Sequence, residues 1–402
     1  MNSDEIRIMN KSFKTLVDKR KKLLNDPQIK ELEEKVKNIR KRGIEDNREL
    51  LEAARQSLKK NGVDVFFAED DKQARDIIYN IVKEEKEDVV GKSKSNTLRE
   101  ITISDFLKLK GVEVVETDLG DRILQLKETN NEPTHPTGPA SHLDVEHIAD
   151  VVNSAMNLNI KPDPHEIMNV IREDVKEKIA NSNVGLSGAN AIASQDGSIV
   201  FVHNEGNISL VSLMKTHIVV VGIDKLVETI EDAISIAKLE TVYATGSKIT
   251  SYMNIISGPS KTADIEKKIL KNMYGAWKVV VIFLDNGRSK AMKNIKESLY
   301  CIGCGSCVVT CPVYKVIGNE FGFNNYLGGR GVAISRFIKN MDDSFDSGLY
   351  KCTLCGLCTL NCPVTIATNE ILEKIRTDHK QGTYPKIHDE IKDKIKKDGS
   401  PY

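Results

Sequence analysis

At 402 residues the chain is too long for one ordinary core, and its 40% apolar and 29% charged residues are the balance of a globular protein. Its 58 basic and 58 acidic side chains cancel, which argues against nucleic acid as a partner, because such binders normally carry a basic excess or a basic face. No run approaches the roughly 18 apolar residues of a membrane helix. The N-terminus MNSDEIRIMNKSFK lacks the apolar segment of a secretory signal, so a cytoplasmic protein without a transmembrane segment is expected.

Residues 1–62 read as an N-terminal helical region, charged and weakly amphipathic. Asp26-Pro27 has the form of a cap followed by proline at the first helical position, and Gly43 is the expected stop. A second helix starting near Asp46 closes at Asn61-Gly62. The charges here are read as a solvated face.

Residues 63–289 have the texture of an α/β domain. The short apolar runs VDVFF, DVVG, GVEVVE, SIVFV, HIVVVG and KVVVIFL alternate with helical segments such as DKQARDIIYNIVKEE and LVETIEDAISIAK. Continuous Val/Ile strands between helices predict a mostly parallel, Rossmann-like sheet covered on both faces, with some strands pairing antiparallel.

Polar residues follow these strands. GKSKSNTLRE opens a helix and offers Lys92 and Lys94 to an anion at the helix start, although without a glycine-rich loop a plain capped start is the slightly better reading. ETDLGDRILQL carries Asp118 and Asp121, either an acid–base pair or an ordinary strand-end turn. His135 and His142 lie in PTHPTGPASH, a proline-bearing loop where histidines serve sites more often than they do in cores. HNEGN and DNGRS end two strands and supply Glu205, Asn207, Asn286 and Arg288. Because strand ends converge on one crevice in open α/β folds, Glu205 and Arg288 are expected to share a pocket.

Residues 290–402 carry all eight cysteines and no strand pattern, and read as an α-helical ferredoxin-type domain ending in a frayed polar tail. CIGCGSCVVTCP and CTLCGLCTLNCP each follow C-x2-C-x2-C-x3-C-P. Three close thiolates wrap one cubane, and the fourth reaches the other. One [4Fe–4S] cluster is then assigned to Cys301, Cys304, Cys307 and Cys362, the second to Cys352, Cys355, Cys358 and Cys311. Structural zinc also uses CxxC pairs, but it leaves the third cysteine of each run without a role. Between the runs, Gly328, Gly329 and Gly331 around Arg330 permit a close backbone approach or simply a loop into the helix VAISRFIKN. No dinucleotide fingerprint and no Walker A loop appears. A two-cluster wire without its own nicotinamide or flavin site implies partners, a flavoprotein or ferredoxin-like carrier among them.

Taken in order, GKSKSNT, VEVVETDLGD, THPTGPASH, VGLSGANAIASQDGSIVFVHNEGN, HIVVVGIDKLVET, SGPSKTADIE and DNGRS resemble the LUD domain of lactate-utilisation iron–sulfur proteins of the LutB/LldF type. The resemblance implies a fold similar to the sugar-phosphate isomerase and CoA-transferase-like group. It implies a system oxidising lactate to pyruvate, with a cysteine-rich heterodisulfide-reductase-type subunit and a smaller LUD-domain protein as partners. The family often carries arginine soon after its EGN, whereas ISLVSLMK follows Asn207 here, and its longer members continue past the second cysteine run.

Three functions are therefore weighed. The first is an electron-transfer subunit of a 2-hydroxyacid-oxidising complex, and the second is the same wire in a heterodisulfide-reductase-like complex with another substrate. In the third the LUD-like domain is itself the enzyme, with Glu205 as carboxylate nucleophile or base.

Overall fold

The computed structural model describes residues 1–127, 132–338, 341–378 and 385–399. Three helices open the chain: α1 (Ser3–Lys21), α2 (Pro27–Glu45) and α3 (Asn47–Lys60). Asp26 caps α2 as its sequence implies, its carboxylate accepting from the Gln28 N–H at 3.0 Å. Gly62 closes the region with φ of +83°. Gly43 does not stop the helix. It sits inside α2, where a Cβ would lie 2.6 Å from the Leu226 carbonyl oxygen, so the glycine lets α2 lie directly on the backbone of the α/β domain.

The strands that follow are β1 (Asp64–Ala68), β2 (Val89–Lys92), β3 (Glu113–Glu116), β4 (Val184–Ser187), β5 (Ala191–Ala193), β6 (Ser198–His203), β7 (Thr216–Gly222), β8 (Leu226–Val227), β9 (Tyr252–Ile256), β10 (Lys261–Thr262), β11 (Leu270–Lys271) and β12 (Lys278–Leu284). Six form a wholly parallel sheet in the order β1-β12-β7-β4-β2-β3. Its central strands are apolar on both faces because both are covered. Ile218, Val220, Val280 and Ile282 pack with Ala74, Ile78 and Leu107, while Val219, Val221, Val281 and Phe283 pack with Ala54 and Leu58 of α3. SIVFV is the exception. As β6 it lies in a second sheet, β8-β5-β6-β9, antiparallel to both β5 and β9.

Beyond β12 the described chain is helical apart from one short hairpin, Gly322–Phe323 against Tyr326–Leu327, which nothing in the sequence pattern marks. The helix Gly328–Ile338 takes in the glycine-rich segment, and the last two residues of VAISRFIKN lie outside the described residues. The tail contains an exposed helix, Ile387–Asp398, and its final three residues also lie outside the described ones.

One hydrophobic core joins all three parts. Met9, Phe13 and Val36 from the N-terminal helices meet Ala237 and Val242 from the α/β domain, and Val308, Tyr314 and Leu372 from the C-terminal module. Among the described residues no helix is long and apolar enough to cross a membrane.

Candidate cluster sites and the adjoining cleft

The two cysteine runs fold alike. Gly303 and Gly305 in the first, and Leu354 and Gly356 in the second, all take positive φ, between +55° and +85°. This winding turns backbone N–H groups inward. The Gly303 N–H donates to Cys301 Sγ at 3.3 Å and the Leu354 N–H to Cys352 Sγ at 3.4 Å. All eight cysteines are free thiols. Burial pushes the Cys304 thiol well up, and the neighbouring thiols Cys301, Cys362 and Cys307 add to it. Burial also raises Cys311, whose neighbours are Cys358 and Cys352, and pushes Cys362 up to about 11.

The two runs adjoin, since Cys362 has both Cys301 and Cys358 for neighbours, and Ser306 Oγ ties them together by donating to the Asn361 carbonyl at 2.8 Å. The donor set, eight thiols in two runs with backbone N–H groups directed at sulfur, fits two cubanes. A further sign lies at Gly305. A Cβ there would come within 2.3 Å of His135 Nε2, a buried nitrogen with no partner.

The surroundings of the runs differ. Lys225 donates to the Cys301 carbonyl at 2.9 Å, Arg330 to the Ser298 carbonyl at 2.8 Å, and the fully buried Arg40 to the Tyr300 and Leu299 carbonyls at 3.1 and 2.6 Å. The second run keeps Cys355 exposed. Among the described residues the cation that attends it is Arg376, which donates to the Leu349 and Cys352 carbonyls at 2.7 and 2.6 Å.

Beside the first run lies a cleft of about 540 Å³, walled by Phe13 and Leu16 of α1, by polar strand ends of the α/β domain, and by Ile302 and Gly303 of the cysteine loop. It brings together five of the residues expected from sequence, Lys94, Asp118, His135, Glu205 and Asn207. Lys94 holds Asp118 at 2.6 Å and donates to the Thr137 carbonyl at 3.2 Å. Asp118 also caps the helix Leu119–Leu126. Glu205 accepts from the first N–H of that helix, on Leu119, at 2.9 Å. Desolvation in the cleft, together with Asp118, pushes the Glu205 carboxyl up, against the pull of Lys94. Asn207 Oδ1 is buried without a partner. Burial drives His135 down to about 3, so its ring is neutral; Nδ1 accepts from the Thr137 N–H at 3.3 Å, which leaves the proton on Nε2.

Sequence reasoning missed Asn190, Lys225 and Glu240, which complete the cleft. Asn190 Nδ2 donates to Glu240 at 2.7 Å, and burial raises the Glu240 carboxyl. Glu240 sits mid-helix, where nothing local marks it as polar lining.

Other expected residues stand elsewhere. Lys92 pairs with Glu116, its register partner on β3, at 2.7 Å, and is buried there with its ammonium taken up by that carboxylate. Asp121 pairs with Arg99 at 2.8 Å, so it forms no acid–base couple with Asp118. His142 is buried against Thr134 Oγ1 at 3.0 Å, off the cleft. Arg288 does not share a pocket with Glu205. It is buried with Glu100 at 2.7 Å and Asp224 at 2.6 Å, and Asn286 joins the same carboxylate, donating to Glu100 at 2.6 Å. Tyr326 of the short hairpin also donates to Glu100. The reason is topological: Arg288 follows β12, on the other side of β7 from the strand that leads to Lys94.

Comparison with known proteins adds to the geometry. The LUD domain family model matches residues 51–284, and a 4Fe-4S dicluster domain matches residues 297–366. Proteins called Lactate utilization protein B from Geobacillus thermodenitrificans, Geobacillus kaustophilus and Bacillus cytotoxicus are 35%, 34% and 33% identical to this chain over 340 residues, 84% of its length and 69% of theirs. A crystal structure of a DUF162 family protein from Deinococcus radiodurans superposes with a TM-score of 0.32 at 12% identity. It covers 59% of this chain and 98% of that one, a likeness too remote to carry an argument.

Proposed function

The chain belongs to the LUD-domain family of B-type lactate utilization proteins and is an iron–sulfur protein with two [4Fe–4S] clusters; on that premise we propose that it is the electron-relay subunit of a complex oxidising a 2-hydroxyacid, L-lactate first among them. Converting a 2-hydroxyacid to a 2-oxoacid releases two electrons and two protons, and two bound [4Fe–4S] clusters supply two one-electron carriers. The ligands are Cys301, Cys304, Cys307 and Cys362 for the first and Cys352, Cys355, Cys358 and Cys311 for the second.

One observation carries the reading. The loop of the first cysteine run, at Ile302 and Gly303, is a wall of the polar cleft, whereas the second run reaches the surface at Cys355. A donor or its carrier docks at one end, and electrons leave at the other.

In the cleft, Lys94 is the cation for a substrate carboxylate, and Asn207 Oδ1 is an unused acceptor for a hydroxyl. Glu205, its carboxyl held up by desolvation and by Asp118, exchanges a proton with the bound group. The chain contributes no flavin or nicotinamide motif. The remaining chemistry is therefore assigned to partners: a cysteine-rich heterodisulfide-reductase-type subunit, a smaller LUD-domain protein, and a flavoprotein or ferredoxin-like carrier. The cytoplasm, which keeps eight thiols reduced until iron arrives, is the compartment this reading requires.

The test is made on protein purified without oxygen together with its copurifying subunits. L-lactate is expected to bleach the visible absorbance of the clusters, as dithionite does. Bleaching by dithionite alone, with the partners still present by mass spectrometry, overturns the hydroxyacid assignment.

A further inference from the structure

Around the first cysteine run the buried charges do not balance. Arg40, Lys225, Arg288 and Arg330 gather beside the cysteine loop around two close carboxylates, Glu100 and Asp224, while Arg20 of α1 stands at Tyr243 with Cys304 and Cys307 for neighbours. Both carboxylates are bonded first by Arg288, at 2.7 and 2.6 Å. Arg40 and Lys225 reach only Asp224, each at 3.8 Å. Among the described residues Arg20 and Arg330 form no ion pair at all; Arg20 donates to the Tyr243 carbonyl at 3.3 Å and Arg330 to the Ser298 carbonyl.

Arg20, Arg40 and Arg288 are buried, and Lys225 and Arg330 are half-buried. Arg20 is 2% exposed and Arg40 1%, and Arg40 leaves its Nη1 without any partner. A third carboxyl, that of Glu240, faces Lys225 across the cleft but is bonded by Asn190. Burying a cation without its counter-charge costs several kcal/mol, so a fold that keeps several of them has an anion in view.

The direction of these side chains identifies it. Lys225 and Arg40 hold the backbone of residues 299–301, and Arg330 lines a small cavity together with Cys301 and Cys307. A cubane bound by four thiolates is a net anion in both redox states, and more negative when reduced. Resting on the ligand assignment above, we propose that the cluster held by Cys301, Cys304, Cys307 and Cys362 is the counter-anion of this cationic shell. Arg20, Arg40, Lys225 and Arg330 hold its reduced form and set its potential independently of the second cluster. The N-terminal helices, which supply Arg20 and Arg40, are then part of the redox site, and these four are positioning residues that act through charge.

The experiment is a redox titration followed by electron paramagnetic resonance on the full chain, purified without oxygen with both clusters in place. Lys225→Gln is expected to lower the midpoint of one cluster signal and leave the other where it was, with about eight irons per chain retained. Lys225→Arg restores the wild-type midpoint, because charge rather than shape is at work. Arg376→Gln moves the other signal only. Unchanged midpoints in Lys225→Gln with full iron overturn the proposal, and so does an equal shift of both signals. Should Lys225→Gln shed iron, Arg330→Gln serves the same reading, and the same midpoint rules decide it. The ligand assignment is checked separately: Cys304→Ser must abolish one signal and spare the other. If both signals survive that change, the assignment fails whatever the lysine variants show.

Discussion

The two cysteine runs share one spacing, one sequence of left-handed turns and the same N–H to sulfur contacts, yet their surroundings are opposite. Gly305 of the first is pressed against His135, while at its counterpart in the second, Gly356, a Cβ would meet nothing within 4 Å. Cys304 is buried in the common core and Cys355 is exposed. Two buried arginines, Arg20 and Arg40, and the half-buried Lys225 and Arg330 crowd the first run, and one half-buried arginine, Arg376, attends the second. Local sequence builds a cluster loop twice, and the rest of the chain then makes one loop an interior site and the other a surface site. For the relay proposed above, that difference is the useful one, since one end would meet the cleft and the other a partner.

Paired substitutions put that contrast to the test. The largest difference is expected between Arg288→Met and Arg376→Met. The first leaves Glu100 and Asp224 buried without their main partner and is expected to cost about 3–5 kcal/mol. The second removes charged hydrogen bonds to two carbonyls in a half-exposed place, at about 1–2 kcal/mol. Denaturant unfolding of the two purified variants under anaerobic conditions decides it, and equal losses would mean that the first run is no better anchored than the second.

Gly305→Ala against Gly356→Ala comes next. Both alanines must adopt a left-handed backbone, which costs roughly 1–2 kcal/mol. Only the first also drives a methyl group into His135, for a further loss of about 1–3 kcal/mol. Thermal melts read the difference directly. If the two glycines proved interchangeable, the contact between His135 and the first loop would not exist in solution.

Cys355→Ser approaches the same contrast from the other side. It is expected to empty the exposed site, lowering iron from about eight to about four per chain, while the fold survives because no core side chain is lost. Cys304→Ser should remove as much iron and also lower the melting temperature, since the buried cations lose their counter-charge. Iron analysis beside a melting curve gives both readings.

Glu205→Gln touches only the cleft. It is expected to leave stability and dithionite reduction unchanged and to slow lactate-driven bleaching by about tenfold or more. A variant with full lactate-driven bleaching would remove Glu205 from the proton chemistry and leave the cleft as a docking site.

Much is legible from local pattern. Asp26-Pro27 caps a helix because a carboxylate and a proline at those two positions need only the adjoining backbone. The Val/Ile runs are strands, and two at the sheet centre are apolar on both faces because both are covered. Gly43 misleads, since a glycine that stops a helix and one that admits a neighbouring backbone look the same in sequence. Lys92 and Lys94, two residues apart, look like one site. Their partners, Glu116 and Asp118, are likewise two residues apart, yet Lys92 is buried with Glu116 while Lys94 and Asp118 line the cleft.

The cluster motifs, the helix starts and the strands are therefore written in the chain itself, because each depends on contacts within a few residues. Which strand ends meet is settled only by the tertiary structure. The order β1-β12-β7-β4-β2-β3 and the separate sheet holding β6 send Arg288 to Glu100 and Asp224, and Glu205 to Lys94 and Asp118. The same packing has α1 and α2 deliver Arg20 and Arg40 to the first cysteine run. Buried charge is satisfied across hundreds of residues of chain, and no local window holds both partners.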